Sequence, residues 1–182
     1  DRAIQLQPEN CLAWFNRGIA SAKLHRYADA IRAYDRVIQL QPNDAEAWFY
    51  KGMAFKHQQR YAALACFDKA IKINPFYPEV WIGRGQTLSD SEDYEGAIAA
   101  FDKAIQINPN FPEAWLGRGI ALAALERYKD AIIAYSNALQ IQGNFLEAWN
   151  LRGESLEKLQ QYEEAIACFD KVIALSSEAE IS

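Results

Sequence analysis

Residues 112–145 read PEAWLGRGIALAALERYKDAIIAYSNALQIQGNF, and this stretch decides the fold. Its first half sets Trp115, Gly119, Leu122 and Leu125 at helical spacing, the stripe of an amphipathic helix. Its second half does the same with Ala131, Ile132, Tyr135, Ala138 and Leu139. Pro112 suits a first helical turn, where its missing N–H would have no intrahelical partner anyway. The stretch predicts two helices, A and B, folded back on each other across a short corner.

Outward from here the pattern returns. Trp14, Trp48, Trp81, Trp115 and Trp149 are each followed four residues later by Gly18, Gly52, Gly85, Gly119 and Gly153. Tyr27, Tyr61, Tyr94, Tyr128 and Tyr162 come nine residues after those glycines. An aromatic (Tyr34, Phe67, Phe101, Tyr135, Phe169) lies further on, and Pro42, Pro75 or Pro109 ends the second helix. The period is 34 residues with one exception. Tyr61 to Phe67 is one residue shorter than Tyr27 to Tyr34, so the second unit has 33 residues, with the loss expected between Tyr61 and Ala63. The repeats are assigned to residues 11–44, 45–77, 78–111, 112–145 and 146–179, with 1–10 as the end of helix B of a preceding repeat. Asp1 to Pro8 parallels Asp35 to Pro42 and Asp102 to Pro109, so the chain is expected to open in mid-repeat.

These columns resemble the tetratricopeptide repeat (TPR) family, whose Trp, Leu, Gly, Tyr, Ala, Phe, Ala, Pro pattern is matched in five consecutive units over nearly the whole chain. The resemblance implies an all-α fold, a right-handed α-solenoid (superhelix) of stacked antiparallel helix A/helix B hairpins. Elementary packing asks for the same stacking, because one hairpin cannot bury both of its apolar faces alone. A glycine inside helix A costs about 1 kcal/mol relative to alanine. Its recurrence therefore calls for a packing reason, a close approach by the alanine and aromatic of helix B. Asp44 is the expected N-cap of the second helix A, and Gly143 replaces proline as an ordinary helix stop. Ser91 stands where Leu24, Leu125 and Leu159 stand elsewhere, amid Asp90, Glu92, Asp93 and Glu95, so the softest corners are expected in repeats two and three. Nothing after Ser176 reads as a polar capping helix; the last helix B is expected to expose its apolar flank and to make end-to-end contacts between molecules.

Composition excludes several classes of function. A net charge of -5 and a pI near 5.1 offer no general attraction to nucleic acid or to an anionic membrane surface. No apolar run approaches the roughly 20 residues of a membrane span. Cys11, Cys66 and Cys168 are an odd set without short spacings, which fits a reducing cytoplasm. Cys66 and Cys168 share a column with Ala33, Ala100 and Ala134, as small packing residues would. His25 and His57 have no metal-ligand spacing and are expected as exposed corner residues. Gly83-Arg84-Gly85 and Gly117-Arg118-Gly119 lack the third glycine and the strand of a phosphate loop. No catalytic residue, metal or cofactor is expected.

Function is expected in the columns that vary, since a repeated core must recur whereas a binding surface need not. In the family resembled, helix A lines a concave groove. The matching positions are Phe15 and Ile19, Phe49 and Met53, Ile82 and Gln86, Leu116 and Ile120, and Asn150 and Glu154, with Tyr50 adjoining. Four repeats thus offer an apolar lining, and the fifth turns acidic through Glu147, Asn150, Glu154 and Glu157. The alternative is that these side chains pack on neighbouring helices. A carboxylate clamp is a poor fit with Phe15, Ile19 and Tyr50 in place, and an asparagine ladder is absent, since Asn16 is followed by Tyr50, Gly83, Gly117 and Leu151. The expected function is a non-catalytic protein–protein interaction scaffold holding an amphipathic or hydrophobic peptide segment. The alternative is a regulatory module of a larger enzyme or signalling protein. Glu46, Glu79, Glu113 and Glu147 sit where a helix dipole favours an acid. Arg17, Lys51, Arg84, Arg118 and Arg152 precede each glycine, and Asp35, Asp68, Asp102 and Asp170 hold one place in helix B; each cation is expected to pair with the aspartate of the preceding repeat, Arg118 with Asp102 for example.

Overall fold

The computed structural model describes residues 9–56 and 59–181, and among them it holds ten α-helices and no strand. They are α1 (Cys11–Lys23), α2 (Tyr27–Leu40), α3 (Ala45–Phe55), α4 (Arg60–Ile73), α5 (Pro78–Ser89), α6 (Tyr94–Ile107), α7 (Pro112–Ala124), α8 (Tyr128–Ile141), α9 (Leu146–Lys158) and α10 (Tyr162–Ile181). The chain divides into two units, 1–87 and 88–182. In the first, α1 packs on α2 and α3 on α4, with α2 against α3. In the second, α7 pairs with α8 and α9 with α10, while α6 packs on α7 and α8 on α9. Within each unit consecutive helices run as antiparallel hairpins stacked in series.

The helices start and stop where local chemistry dictates. Asp44 accepts a hydrogen bond from the Ala47 N–H at 2.9 Å, as Asn10 does from Ala13 at 3.0 Å and Asp93 from Gly96 at 3.0 Å. Pro78 and Pro112 open α5 and α7. His25, Glu92, Glu126 and Gln160 carry positive φ between 56° and 62°. Each closes a Schellman turn; at the third of them, Glu126 N–H donates to Ala123 O and Arg127 N–H to Leu122 O, both at 2.9 Å. His25 is exposed, and its Nδ1 lies 3.0 Å from the Tyr27 hydroxyl. His57 lies outside the described residues.

The glycine column has the expected steric cause. A Cβ on Gly52 would come within 2.7 Å of the Phe67 ring, and one on Gly153 within 2.6 Å of Phe169. Gly18 is closed in the same way by Tyr34 and Gly119 by Tyr135. Gly83 and Gly117 face the aromatic one helix back, Phe67 and Phe101 respectively, so in α7 the Gly117-Arg118-Gly119 fragment marks a helix squeezed between two rings. Ala30, Ala63, Ala97 and Ala131 are fully buried beside those rings, and Cys66 and Cys168 are buried with Ala33, Ala100 and Ala134.

One column needs correction. The helices that begin at Tyr27, Tyr94 and Tyr128 place their buried aromatic or phenylalanine at the eighth position, and α4 does so only if counted from Arg60. Arg60, not Tyr61, therefore occupies the tyrosine register. Tyr61 is 90% exposed, whereas Tyr27, Tyr94 and Tyr128 are half-buried. The missing residue accordingly falls ahead of α4, not between Tyr61 and Ala63. Buried Phe67 fixes this register, because burying that ring outweighs exposing a tyrosine whose hydroxyl prefers water. The final helix, α10, runs to Ile181. Its Tyr162, Ile166 and Ile173 are 53%, 59% and 65% exposed, an apolar flank open in this structure.

Candidate functional site

The expected lining residues of the first unit converge on an aromatic cluster built by α1, α2, α3 and α4 and by Tyr77. Phe15 meets Tyr34 and Tyr50 edge-on, with ring centroids 5.8 and 5.3 Å apart. Tyr50 contacts Phe49 at 5.1 Å, and Phe49 reaches Tyr77 at 5.4 Å and Phe67 at 6.2 Å. Such edge-on pairs add about 0.5–1.5 kcal/mol beyond the area they bury. Phe15, Ile19, Phe49, Tyr50 and Met53 are all half-buried, one side packed and one side open. Gln86 accepts a hydrogen bond from Lys56 Nζ at 2.7 Å.

Acidic groups rim this apolar surface. Phe15 lines a cleft of about 420 Å³ together with Leu12, Val37, Gln41, Asp44 and Glu46. Leu12 is 68% exposed. Burial raises the Tyr77 hydroxyl well above its ordinary pKa, and the charges of Glu46, Glu79 and Asp44 push the same way, with Tyr50 adding to it. A ligand meeting this face finds an apolar floor and a negative edge.

Elsewhere the expected lining is uneven. Ile82 and Leu116 are buried at 8% and 7% exposure, so they support the wall instead of meeting a visitor. Leu116 packs in a cluster with Leu122, Ala131 and Tyr135. These two positions are corrected from lining to core: the helical turn that carries them faces the aromatic column, and burial there gains more than exposure. Ile120 is half-buried against the same cluster. Asn150 donates to Glu154 at 2.6 Å, one turn on along α9.

The cation–aspartate ladder forms as expected at three rungs. Lys51 lies 2.6 Å from Asp35, Arg84 Nε 2.9 Å from Asp68, and Arg118 Nε 2.7 Å from Asp102. Each aspartate is about half exposed, so a rung contributes at most about 1 kcal/mol. Burial pushes the Cys66 thiol up to about 11, with Lys51 pulling slightly back and Asp35 adding to the rise, which leaves a protonated and inert group. Sequence reasoning missed a second device. The Trp48, Trp81 and Trp115 indole N–H groups donate to the carbonyls of Pro42, Pro75 and Pro109 at 2.9–3.0 Å. The constant spacing of six residues was the signal for it.

Tetratricopeptide repeat models match residues 15–78, 62–112 and 82–145, and a further one matches 146–178. The chain belongs to the tetratricopeptide repeat family. Solved structures with the same fold include a MamA protein at 21% identity, covering 94% of each chain with a TM-score of 0.81. MamA 41-end from Desulfovibrio magneticus RS-1 is 19% identical, covers 92% of this chain and 96% of its own, and has a TM-score of 0.83. YrrB, described as a TPR protein with an unusual peptide-binding site, is 20% identical, covers 96% and 90%, and has a TM-score of 0.74. None of the curated protein sequences matches the chain significantly. Among the described residues, no group of three or more His, Cys, Asp or Glu is placed to hold a metal ion, and no helix is long and apolar enough to cross a membrane.

Proposed function

We propose that this tetratricopeptide repeat chain is a protein-interaction scaffold without catalytic activity, and that its first unit takes an amphipathic peptide segment carrying both apolar and basic side chains. The observation that carries the reading is the cleft in which exposed Leu12 and half-buried Phe15 lie beside Asp44 and Glu46. Ile19, Phe49, Tyr50 and Met53 extend the apolar surface next to it. One Leu- or Phe-sized anchor fully buried contributes about 1.5–3 kcal/mol, and helix-in-groove binding collects several of them along one face. The acidic rim selects a basic partner over nucleic acid, in keeping with the net charge of -5. YrrB, with its peptide-binding site, is a precedent for such a role on this fold. A cytoplasmic setting belongs to the same reading, supported by three free cysteines. So does end-to-end self-association through the open flank at Ile166 and Ile173, since apolar surface of that kind seeks cover.

A labelled 18-residue peptide of leucine and lysine at helical spacing is the probe. Saturable binding is expected, weakened at least tenfold by Leu12→Glu combined with Glu46→Lys, with the helical circular dichroism unchanged. Because Leu12 and Glu46 are both exposed, folding is spared. Equal binding by wild type and variant removes the proposal.

A further inference from the structure

Among the described residues, the ladder of cations breaks at Arg152. Lys51, Arg84 and Arg118 each meet an aspartate 16 residues earlier, but 16 residues before Arg152 stands Ser136. Ser136 carries no charge and turns its hydroxyl back to donate to the Ile132 carbonyl at 2.7 Å. In Arg84 and Arg118 it is Nε that donates to the carboxylate. In Arg152 that same Nε is buried with no hydrogen-bond partner. Arg152 Nη1 reaches only the Cys168 sulfur, a weak acceptor, at 3.0 Å, and the guanidinium lies 5.8 Å from the centre of the Trp149 ring. A buried donor left unmet is costly, the more so when charged, so this position calls for an acceptor.

Space for one is present. Ser136, Leu139, Gln140, Trp149 and Arg152 line a pocket of about 300 Å³, whose walls come from α8 and α9. We infer that this pocket is a carboxylate-binding site, in which an external carboxylate takes the place that Asp68 and Asp102 hold beside Arg84 and Arg118. Arg152 lines the pocket and brings the charged donor, Gln140 lines it as a second polar residue, and Leu139 with Trp149 forms the apolar wall. The Trp149 indole N–H is already committed to the Gly143 carbonyl at 2.9 Å and takes no part. The acids nearby on α9 do not compete: Glu154 is engaged by Asn150, and neither it nor Glu147 lines the pocket. The site is independent of the peptide cleft of the first unit, and each stands or falls without the other.

The test follows the Arg152 Nε–H resonance by NMR in the full chain while sodium acetate replaces sodium chloride at constant ionic strength. A saturable shift is expected for wild type and none for Ser136→Asp, which supplies the missing carboxylate internally. The converse variant, Asp102→Ser, should give the Arg118 Nε–H the same saturable response. A capped tripeptide, leucine–aspartate–leucine, distinguishes the source of the group: half-saturation tenfold below that of acetate marks a protein side chain, and parity marks a free small carboxylate. A linear drift matched by chloride, or an acetate response unaltered in Ser136→Asp, overturns the inference. Should Ser136→Asp fail to fold, as judged by circular dichroism, the Asp102→Ser arm decides, and the absence of a new response at Arg118 overturns it as well.

Discussion

The Trp149 indole N–H donates to the carbonyl of Gly143 at 2.9 Å, the bond that Trp115 makes to Pro109. What this corner uses is a backbone oxygen, and that explains why glycine replaces proline there without loss of the motif. Gly143 has no positive φ, and a Cβ on it would meet nothing nearer than the Leu139 carbonyl at 3.8 Å.

Gly143→Pro is therefore expected to raise stability by about 0.4–1 kcal/mol, by narrowing the unfolded ensemble while leaving the acceptor in place. Trp115→Phe keeps most of the ring and loses the bond, at a cost of about 1 kcal/mol. Thermal or urea melts measure both. A destabilised Gly143→Pro would show that the corner needs conformations proline cannot reach.

Tyr34 and Tyr135 occupy equivalent places with different surroundings. Tyr135 has Ser155 as a hydrogen-bond partner twenty residues on, while twenty residues after Tyr34 stands buried Ala54, and the Tyr34 hydroxyl has no partner. Ala54→Ser is expected to stabilise by about 1 kcal/mol by satisfying that phenol, and Ser155→Ala to destabilise by a similar amount. Urea midpoints read both changes; a neutral Ala54→Ser would mean the hydroxyl geometry does not carry over.

Alkaline pH should loosen the fold. Burial raises the Cys66 thiol from 9.0 to about 11 and the Tyr34 hydroxyl from 10.0 to about 12, the latter with help from Tyr50. Both groups are neutral when protonated, so folding favours the protonated form. Their contribution is whole below about pH 9 and declines as pH climbs through their folded values. Guanidinium midpoints at pH 7 and pH 10.5 measure it, with a lower midpoint expected at pH 10.5. Cys66→Ala should remove part of the drop.

Hydrogen exchange probes the corners. The Lys56 amide, 3.4 Å from Met53 O, is expected to exchange faster than that of Arg127, held at 2.9 Å in its Schellman turn. The acidic corner of the third repeat has the same closure, with Asp93 N–H donating to Leu88 O at 3.0 Å, so it is expected to be protected like the first and fourth. Softness is thereby narrowed to the second repeat. Equal exchange at Lys56 and Arg127 would contradict it.

Much of this architecture was legible from periodicity alone. Amphipathic stripes, proline stops and the Trp–Gly column fix where helices lie and which faces meet, because these are local consequences of chain geometry. The ladder pairing of Arg118 with Asp102 followed from the same arithmetic. Tyr61 did not: column matching aligned tyrosine with tyrosine, whereas packing aligned Phe67 with Tyr34 and pushed Tyr61 into solvent.

Periodicity settled the helices, their order and the glycine-against-ring contact, since a strict repeat leaves those choices no freedom. Which variable positions face outward was settled by packing. Ile82 and Leu116 hold the same column as Phe15 and Phe49, yet the former are buried and the latter half-open. Exposure of that kind depends on the size of the side chains packed alongside, which lie far off in the chain. For the same reason, the unmet Arg152 Nε came into view only once its neighbours were in place.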